Sequence, residues 1–152
     1  MGTINMTRVL LGGLAAGVII NISEGILNGV VLAQQWKEHM TKFNLPGEFS
    51  VNQSCWFSIL GFVIGILTVW LYAAIRPRYG AGPKTAMWAG SFVWMLGYAL
   101  AMAYPTIVGL LPADLTVISP IWGLVEILVA SVLGAKVYKE ESAASAMAAA
   151  AQ

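Results

Sequence analysis

The sequence predicts an all-α integral membrane protein, a bundle of four transmembrane helices with both termini cytoplasmic. Of its 152 residues, 59% are hydrophobic and only 10% are charged, and the apolar residues gather in four long runs. Soluble domains carry about 25% charged residues. A chain this poor in charge is therefore expected in a lipid bilayer, and its length allows one domain.

Each apolar run is long enough to cross a membrane as a helix. A hydrocarbon core of about 30 Å needs about 20 helical residues. The alternation expected of barrel strands of about 10 residues is not visible. The predicted helices are Arg8–Gln34, Gln53–Ile75, Thr85–Tyr104 and about Leu115–Tyr138. They form a single predicted domain over residues 1–141, followed by an Ala-rich tail over residues 142–152.

The distribution of Lys and Arg predicts the orientation, because cytoplasmic loops are enriched in them. Six of the eight basic residues flank the start of the first helix, the connection between the second and third, or the end of the fourth: Arg8, Arg76, Arg78, Lys84, Lys136 and Lys139. The opposite side holds Lys37 and Lys42, offset by three acidic residues. Both termini are therefore predicted to be cytoplasmic, in a bacterial-type inner (plasma) membrane.

Two connections on the other side differ in character. Residues 35–52 are polar and contain the turn signal Asn44–Gly47, and Ser50 or Asn52 is expected to cap the second helix. Residues 105–120 are apolar but interrupted by three prolines, which fits an interfacial or a partly re-entrant segment. Pro120 fits either the first turn of the fourth helix or a kink within it.

The composition excludes several membrane chemistries. His39 and Cys55 are the only residues of their kinds. A haem held by two histidines of one chain and a zinc site of His and Cys ligands are therefore excluded. No nucleotide-binding, serine-hydrolase or metalloprotease motif occurs, so no catalytic residues and no enzyme are predicted. The net charge of +1 offers no surface for nucleic acid. His39 is expected in a solvated loop and Cys55 as a small buried group.

Two carboxylates interrupt the apolar runs. Glu24 lies in the first run with Asn21 and Asn28 on the same helical face, and Glu126 lies in the last run. Glu24 is ten residues from Gln34, and Glu126 is ten residues from Lys136. Ten helical residues span about 15 Å, half of a core of about 30 Å. Both carboxylates are therefore predicted near the midplane, at one level if their helices are neighbours.

Such a pair can share a proton, bind a cation or pair with a basic ligand. Amides and hydroxyls suit either a protonated carboxyl or a hard cation, and aromatic faces suit an organic cation. The predicted ligand- or ion-binding residues are Glu24, Glu126, Asn21, Asn28, Trp94, Tyr98 and Ser131; the identity of any metal is open. The alternative is structural: a neutral acid that hydrogen-bonds between helices.

Glycines recur at four-residue multiples, a spacing that lets helix backbones approach in lipid. The first helix carries Gly13, Gly17, Gly25 and Gly29, with Asn21 completing the row. Shorter rows occur in the other three helices. These rows predict close packing within the bundle or with other chains.

Two functions remain open from the sequence. The first is a small transporter or ligand- or cation-binding protein with proton-coupled Glu24 and Glu126. It is expected to be a homo-oligomer, because four helices barely enclose a pathway. The second is a non-catalytic structural subunit or assembly factor of a larger membrane complex. The expected partners are the lipid bilayer, further chains and a small cation or proton.

Overall fold

The computed structural model describes residues 4–138, and the regular structure in that range is entirely helical. Four helical segments are long and apolar enough to cross a membrane: span 1 (Met6–Val31), span 2 (Val51–Tyr79), span 3 (Pro83–Ile107) and span 4 (Ala113–Val137). The prediction of four apolar helices is confirmed. The predictions for Lys139, for the ends of the 1–141 domain and for the 142–152 tail concern residues outside the described range.

Each of the four spans packs against at least two others. Span 1 packs against spans 2 and 4, span 3 packs against the same two spans, and spans 2 and 4 also touch. The predicted neighbourhood of the first and fourth helices is therefore present. Much of the outward surface consists of large apolar side chains, such as Ile22, Leu96 and Val125. This surface is suited to lipid contact.

Spans 1 and 3 each contain one π-helical turn, which the sequence analysis did not predict. Span 1 is α-helical over Met6–Ile26 and π-helical over Leu27–Val31. Span 3 is α-helical over Pro83–Trp94, π-helical over Met95–Ala99 and α-helical again over Leu100–Ile107. A π turn has hydrogen bonds from residue i to i+5. Residues beyond it therefore lie off the face extrapolated from a 3.6-residue period.

The first connection is not simply a polar loop. An α-helix, named here the connecting helix, runs from Ala33 to Lys42 and precedes the turn at Asn44, whose φ is 56°. His39 lies within this helix and is half-buried, with its ring 5.1 Å from that of Phe43. The expected solvated-loop position of His39 was wrong, because aromatic neighbours cover its ring.

Ser50 caps span 2, as predicted. Its hydroxyl accepts a hydrogen bond from the Gln53 backbone N–H at 3.3 Å, and the Gln53 side chain accepts from the Ser50 N–H at 2.8 Å. This reciprocal pair is a capping box. Residues 51–60, which follow the cap, are all exposed. Cys55 is therefore exposed rather than buried.

The second connection is a short turn, and most of residues 105–120 belong to spans 3 and 4; whether the turn lies at the membrane interface stays a prediction. Span 3 continues through Pro105 to Ile107, and span 4 begins at Ala113. Gly109 closes the turn between them with a φ of 75°. Pro120 lies inside span 4, beyond its first turn. The third helix was predicted to end at Tyr104, before Pro105, but a helix can continue through a proline when the lost backbone bond is tolerated locally.

Close glycine contacts fix how span 1 meets its neighbours. A Cβ added at Gly12 would lie 2.6 Å from the Gly134 carbonyl oxygen in span 4, and one at Gly17 would lie 2.9 Å from the Cα of Phe62 in span 2. The backbones are therefore as close as glycine alone allows. By contrast, a Cβ added at Gly25 or Gly29 would meet nothing within 4 Å. Only the first half of the predicted glycine row packs inside the bundle.

Candidate ligand-binding site

Glu126 is buried in span 4 and receives a hydrogen bond from span 3. Glu126 is 4% exposed, and the Tyr98 hydroxyl donates a hydrogen bond to its Oε1 atom at 2.9 Å. Tyr98 belongs to the π turn of span 3. Its ring fits against span 4 at Gly123, where an added Cβ would lie 2.5 Å from the Tyr98 Cδ1 atom. Glycine one turn before Glu126 therefore gives Tyr98 access to the carboxyl.

Glu24 of span 1 approaches the same tyrosine. Its half-buried carboxyl lies within interaction range of the Tyr98 hydroxyl and interacts electrostatically with Glu126. The structure thus brings together one polar side chain from each of spans 1, 3 and 4. We name Glu24, Tyr98 and Glu126 the carboxyl–phenol cluster.

Asn28 and Trp36 extend the polar contacts away from Glu24. The Asn28 side-chain amide donates to Glu24 Oε2 at 2.5 Å and to the Glu24 carbonyl at 3.1 Å. The Trp36 indole N–H donates to Asn28 Oδ1 at 2.8 Å. Asn28 lies in the π turn of span 1 and Trp36 in the connecting helix. Polar contacts therefore link the connecting helix to the carboxyl–phenol cluster.

Ser23 and Trp122 border Glu126 on its other side. The Trp122 indole N–H donates to Ser23 Oγ at 2.8 Å, and the Ser23 hydroxyl is close enough to interact with the Glu126 carboxyl. Trp36 and Trp122 were not among the predicted site residues. A usable signal existed, since a tryptophan N–H inside a helix bundle usually needs a hydrogen-bond acceptor.

Three of the predicted site residues form hydrogen bonds to backbone carbonyls outside the carboxyl–phenol cluster. Asn21 donates to the Gly17 carbonyl at 2.8 Å and to the Ser58 carbonyl of span 2 at 3.2 Å. Trp94 donates its indole N–H to the Pro120 carbonyl at 2.8 Å. The Ser131 hydroxyl donates to the Leu128 carbonyl of its own helix at 2.9 Å. These hydrogen bonds join spans or return to the local backbone, and none reaches the carboxyl–phenol cluster.

A groove of about 480 Å³ lies between spans 1 and 4 beside the cluster. Its polar lining comes from Ser23, Trp122 and Glu126, and its apolar lining includes Ile19, Ile121 and Val125. Ile121 and Val125 are each 63% exposed, whereas Glu126 is almost fully buried. The groove therefore leads from the apolar outer surface of the bundle to a carboxyl group.

The polar groups around the cluster are two carboxyls, the Asn28 amide, the Tyr98 phenol and the Ser23 hydroxyl. Within residues 4–138, no three His, Cys, Asp or Glu side chains come together in a way that could hold a metal ion. The arrangement suits binding of a proton or a single positive charge, since both carboxyls face the same hydroxyl and interact with each other.

Comparison with known proteins identified no relative of this chain. No family model, no curated protein and no solved structure matches the chain. Fold and site define its class: an all-helical protein with four membrane-length helices and a carboxyl pair among them. Its function is argued from the geometry and charge of that pair.

Proposed function

We propose that the protein is a small membrane transporter or cation-binding protein in which Glu24 and Glu126 bind either protons or a cation. The observation that carries this proposal is the approach of both carboxyls to one hydroxyl, that of Tyr98. A purely structural acid needs one partner, whereas two acids from different spans at one donor form a site for positive charge.

The distribution of charge supports the proposal. All eight Lys and Arg residues lie near the ends of the spans, in the connections or beyond the last span. Among residues 4–138, no basic side chain neutralises the carboxyl pair. Two carboxylates away from water repel each other and are costly to bury without a counter-charge. Protons or a bound cation supply that charge.

Competition between proton and cation follows from this charge balance. Protons neutralise the pair when the cation is absent, and a binding cation releases them. A higher pH removes the competing protons and therefore strengthens cation binding. The Tyr98 hydroxyl serves either state, because it donates to whichever carboxyl carries negative charge.

The proposal includes orientation and assembly. We propose that both termini are cytoplasmic and that the membrane is a bacterial-type inner membrane; the excess of Lys and Arg on one side supports this orientation. The protein acts as a homo-oligomer, since one bundle of four helices barely surrounds a pathway. Residues 51–60 of span 2 offer an exposed surface to a second copy, with Trp56 59% and Phe57 55% exposed.

The test measures cation-driven proton release from the purified protein in lipid vesicles loaded with a pH-sensitive dye. Inorganic monovalent and divalent cations and small organic ammonium ions are added in turn. For at least one of these cations the wild-type chain releases protons, and Glu24→Gln and Glu126→Gln each reduce the release at least tenfold. Glu38→Gln and Glu48→Gln, at exposed acids of the first connection, are matched controls that leave it unchanged. Release by Glu24→Gln and Glu126→Gln equal to that of wild type would sink the proposal.

A non-catalytic subunit or assembly factor is the second candidate. It is favoured by Gly25 and Gly29, which form a small-residue pair one turn apart with nothing packed against them. Such a pair is suited to close contact with a helix of another chain. Native mass spectrometry from mild detergent separates the candidates: a stoichiometric foreign partner favours the second, and a homo-oligomer favours the first.

A further inference from the structure

The groove between spans 1 and 4 is large enough for an organic ligand and is open at the outer surface of the bundle. Its volume of about 480 Å³ falls within the range of about 300–1,000 Å³ typical of small-molecule sites. Val125 at its mouth is 63% exposed, and Glu126 at its inner wall is 4% exposed. A ligand in the groove would therefore touch both lipid-facing side chains and a buried carboxyl.

One oxygen of that carboxyl has no hydrogen-bonding partner. Oε1 of Glu126 accepts from Tyr98, whereas Oε2 is buried and accepts no hydrogen bond of good geometry from residues 4–138. Ser23 interacts with the Glu126 carboxyl and accepts a hydrogen bond from the Trp122 indole N–H. A buried acceptor left unpaired costs free energy, so a donor supplied from the groove would be stabilised there.

The lining selects the chemistry of that donor. Apart from Ser23, Trp122 and Glu126, the groove is aliphatic and suits a hydrocarbon body. A ligand that offers only acceptors, such as an anion, would meet a carboxyl oxygen that no basic side chain among residues 4–138 offsets. A protonated amine offers both the donor and the missing positive charge, and the Trp122 ring beside it adds a cation–π surface.

We propose that the ligand is an amphiphilic amine, and that it reaches Glu126 sideways from the bilayer through the groove between spans 1 and 4. The proposal rests on the proposed function and names its substrate class and route. The amine partitions into the membrane, its hydrocarbon body fills the groove, and its ammonium group binds the free oxygen of Glu126.

Photolabelling of the full chain in lipid nanodiscs tests the route. The probe is dodecylamine with a diazirine in its chain, and the neutral control is dodecanol with the same diazirine. We expect the amine to label residues 118–129 at least fivefold more than the alcohol does. Glu126→Gln should reduce labelling by the amine to the level of the alcohol.

A matched pair of valines locates the ligand. Val125→Trp fills the mouth of the groove and should reduce amine labelling at least fivefold. Val117→Trp adds the same ring to the same span at a residue that is 56% exposed and does not line the groove, so its labelling should equal that of wild type. Equal labelling of Val125→Trp and Val117→Trp by the amine would overturn the route. Equal labelling of the wild-type chain by the amine and by the alcohol would indicate a lipid chain in the groove and would overturn the substrate class.

The two proposals fail separately. If amine labelling fails while Glu24→Gln and Glu126→Gln still abolish cation-driven proton release, the lateral amine route is wrong and the cation site stands. If wild type shows no proton release with any cation, the proposed function itself is overturned, and with it the substrate class.

Discussion

Tyr98 is the residue on which the candidate site depends. It carries a donor into an apolar bundle and directs it at Glu126 while remaining within range of Glu24. Phenylalanine would fill the same space against Gly123 but would remove the hydrogen bond that the Tyr98 hydroxyl donates to the Glu126 carboxyl. The hydroxyl rather than the ring therefore distinguishes a site from ordinary packing.

We expect Tyr98→Phe to lower the free energy of unfolding by about 0.5–1.5 kcal/mol, the usual net value of one hydrogen bond. Reversible unfolding in mixed micelles measures this change. Tyr104→Phe is the matched control on the same span, at a residue that is 73% exposed, and should change the free energy by much less. Equal effects of the two substitutions would show that the Tyr98 hydroxyl does not stabilise the bundle.

At the scale of elements, the two π turns present the polar groups. Asn28 lies in the π turn of span 1, and Tyr98 lies in that of span 3. π turns are often found at functional sites, because they redirect side chains within an otherwise regular helix. Here both turns direct their polar residue toward a carboxyl, at Glu24 and Glu126 respectively.

The crossing of spans 1 and 4 yields a second prediction. Gly12→Ala should lower the free energy of unfolding by about 1–3 kcal/mol, the cost of overpacking a tight contact. The new Cβ would meet the Gly134 backbone oxygen, which no rotamer change can move. The same micelle unfolding measures the loss.

Gly25→Ala is the control for this contact. An added Cβ at Gly25 meets open space, and alanine favours a helix interior by about 0.8–1.0 kcal/mol over glycine. It should therefore leave stability unchanged or raise it. A loss as large as that of Gly12→Ala would show that Gly25 is packed as tightly as Gly12, contrary to the structure.

For the whole molecule, the predicted orientation is testable with single cysteines. In a Cys55→Ser background, Leu45→Cys lies in the first connection and Ala81→Cys lies between spans 2 and 3; both residues are exposed. With both termini cytoplasmic, a membrane-impermeant maleimide added to intact cells should label Leu45→Cys and not Ala81→Cys. The opposite pattern would reverse the orientation, and permeabilised cells provide the control for reactivity.

The sequence predicted part of the candidate site. Glu24, Asn28, Tyr98 and Glu126 all belong to the predicted set, and each is joined to at least one other of the four. Polarity inside an apolar run was sufficient to select them, because a polar group in lipid requires a partner. Trp36 was missed, since the connecting helix that positions it was interpreted as a loop.

Residue type alone did not separate Asn21, Trp94 and Ser131 from this group. Each is polar or partly polar within an apolar run, yet each hydrogen-bonds to a backbone carbonyl outside the cluster. Which polar side chains reach the carboxyl–phenol cluster depends on how far each helix is rotated about its axis. The rotation of each helix is set by glycine contacts between spans and by π turns within spans 1 and 3. Neither feature can be recognised from the sequence of one apolar run.

Length and polarity along the chain were enough to predict four membrane-length helices and two carboxylates among them, because both properties are local and add up residue by residue. The partners of those carboxylates, the groove beside Glu126 and the exposure of Cys55 followed only from the packed bundle. They depend on contacts between residues far apart in the chain. The positions of Gly12 against Gly134 and of Tyr98 against Gly123 set those contacts by bringing backbones and rings closer than any larger residue would permit.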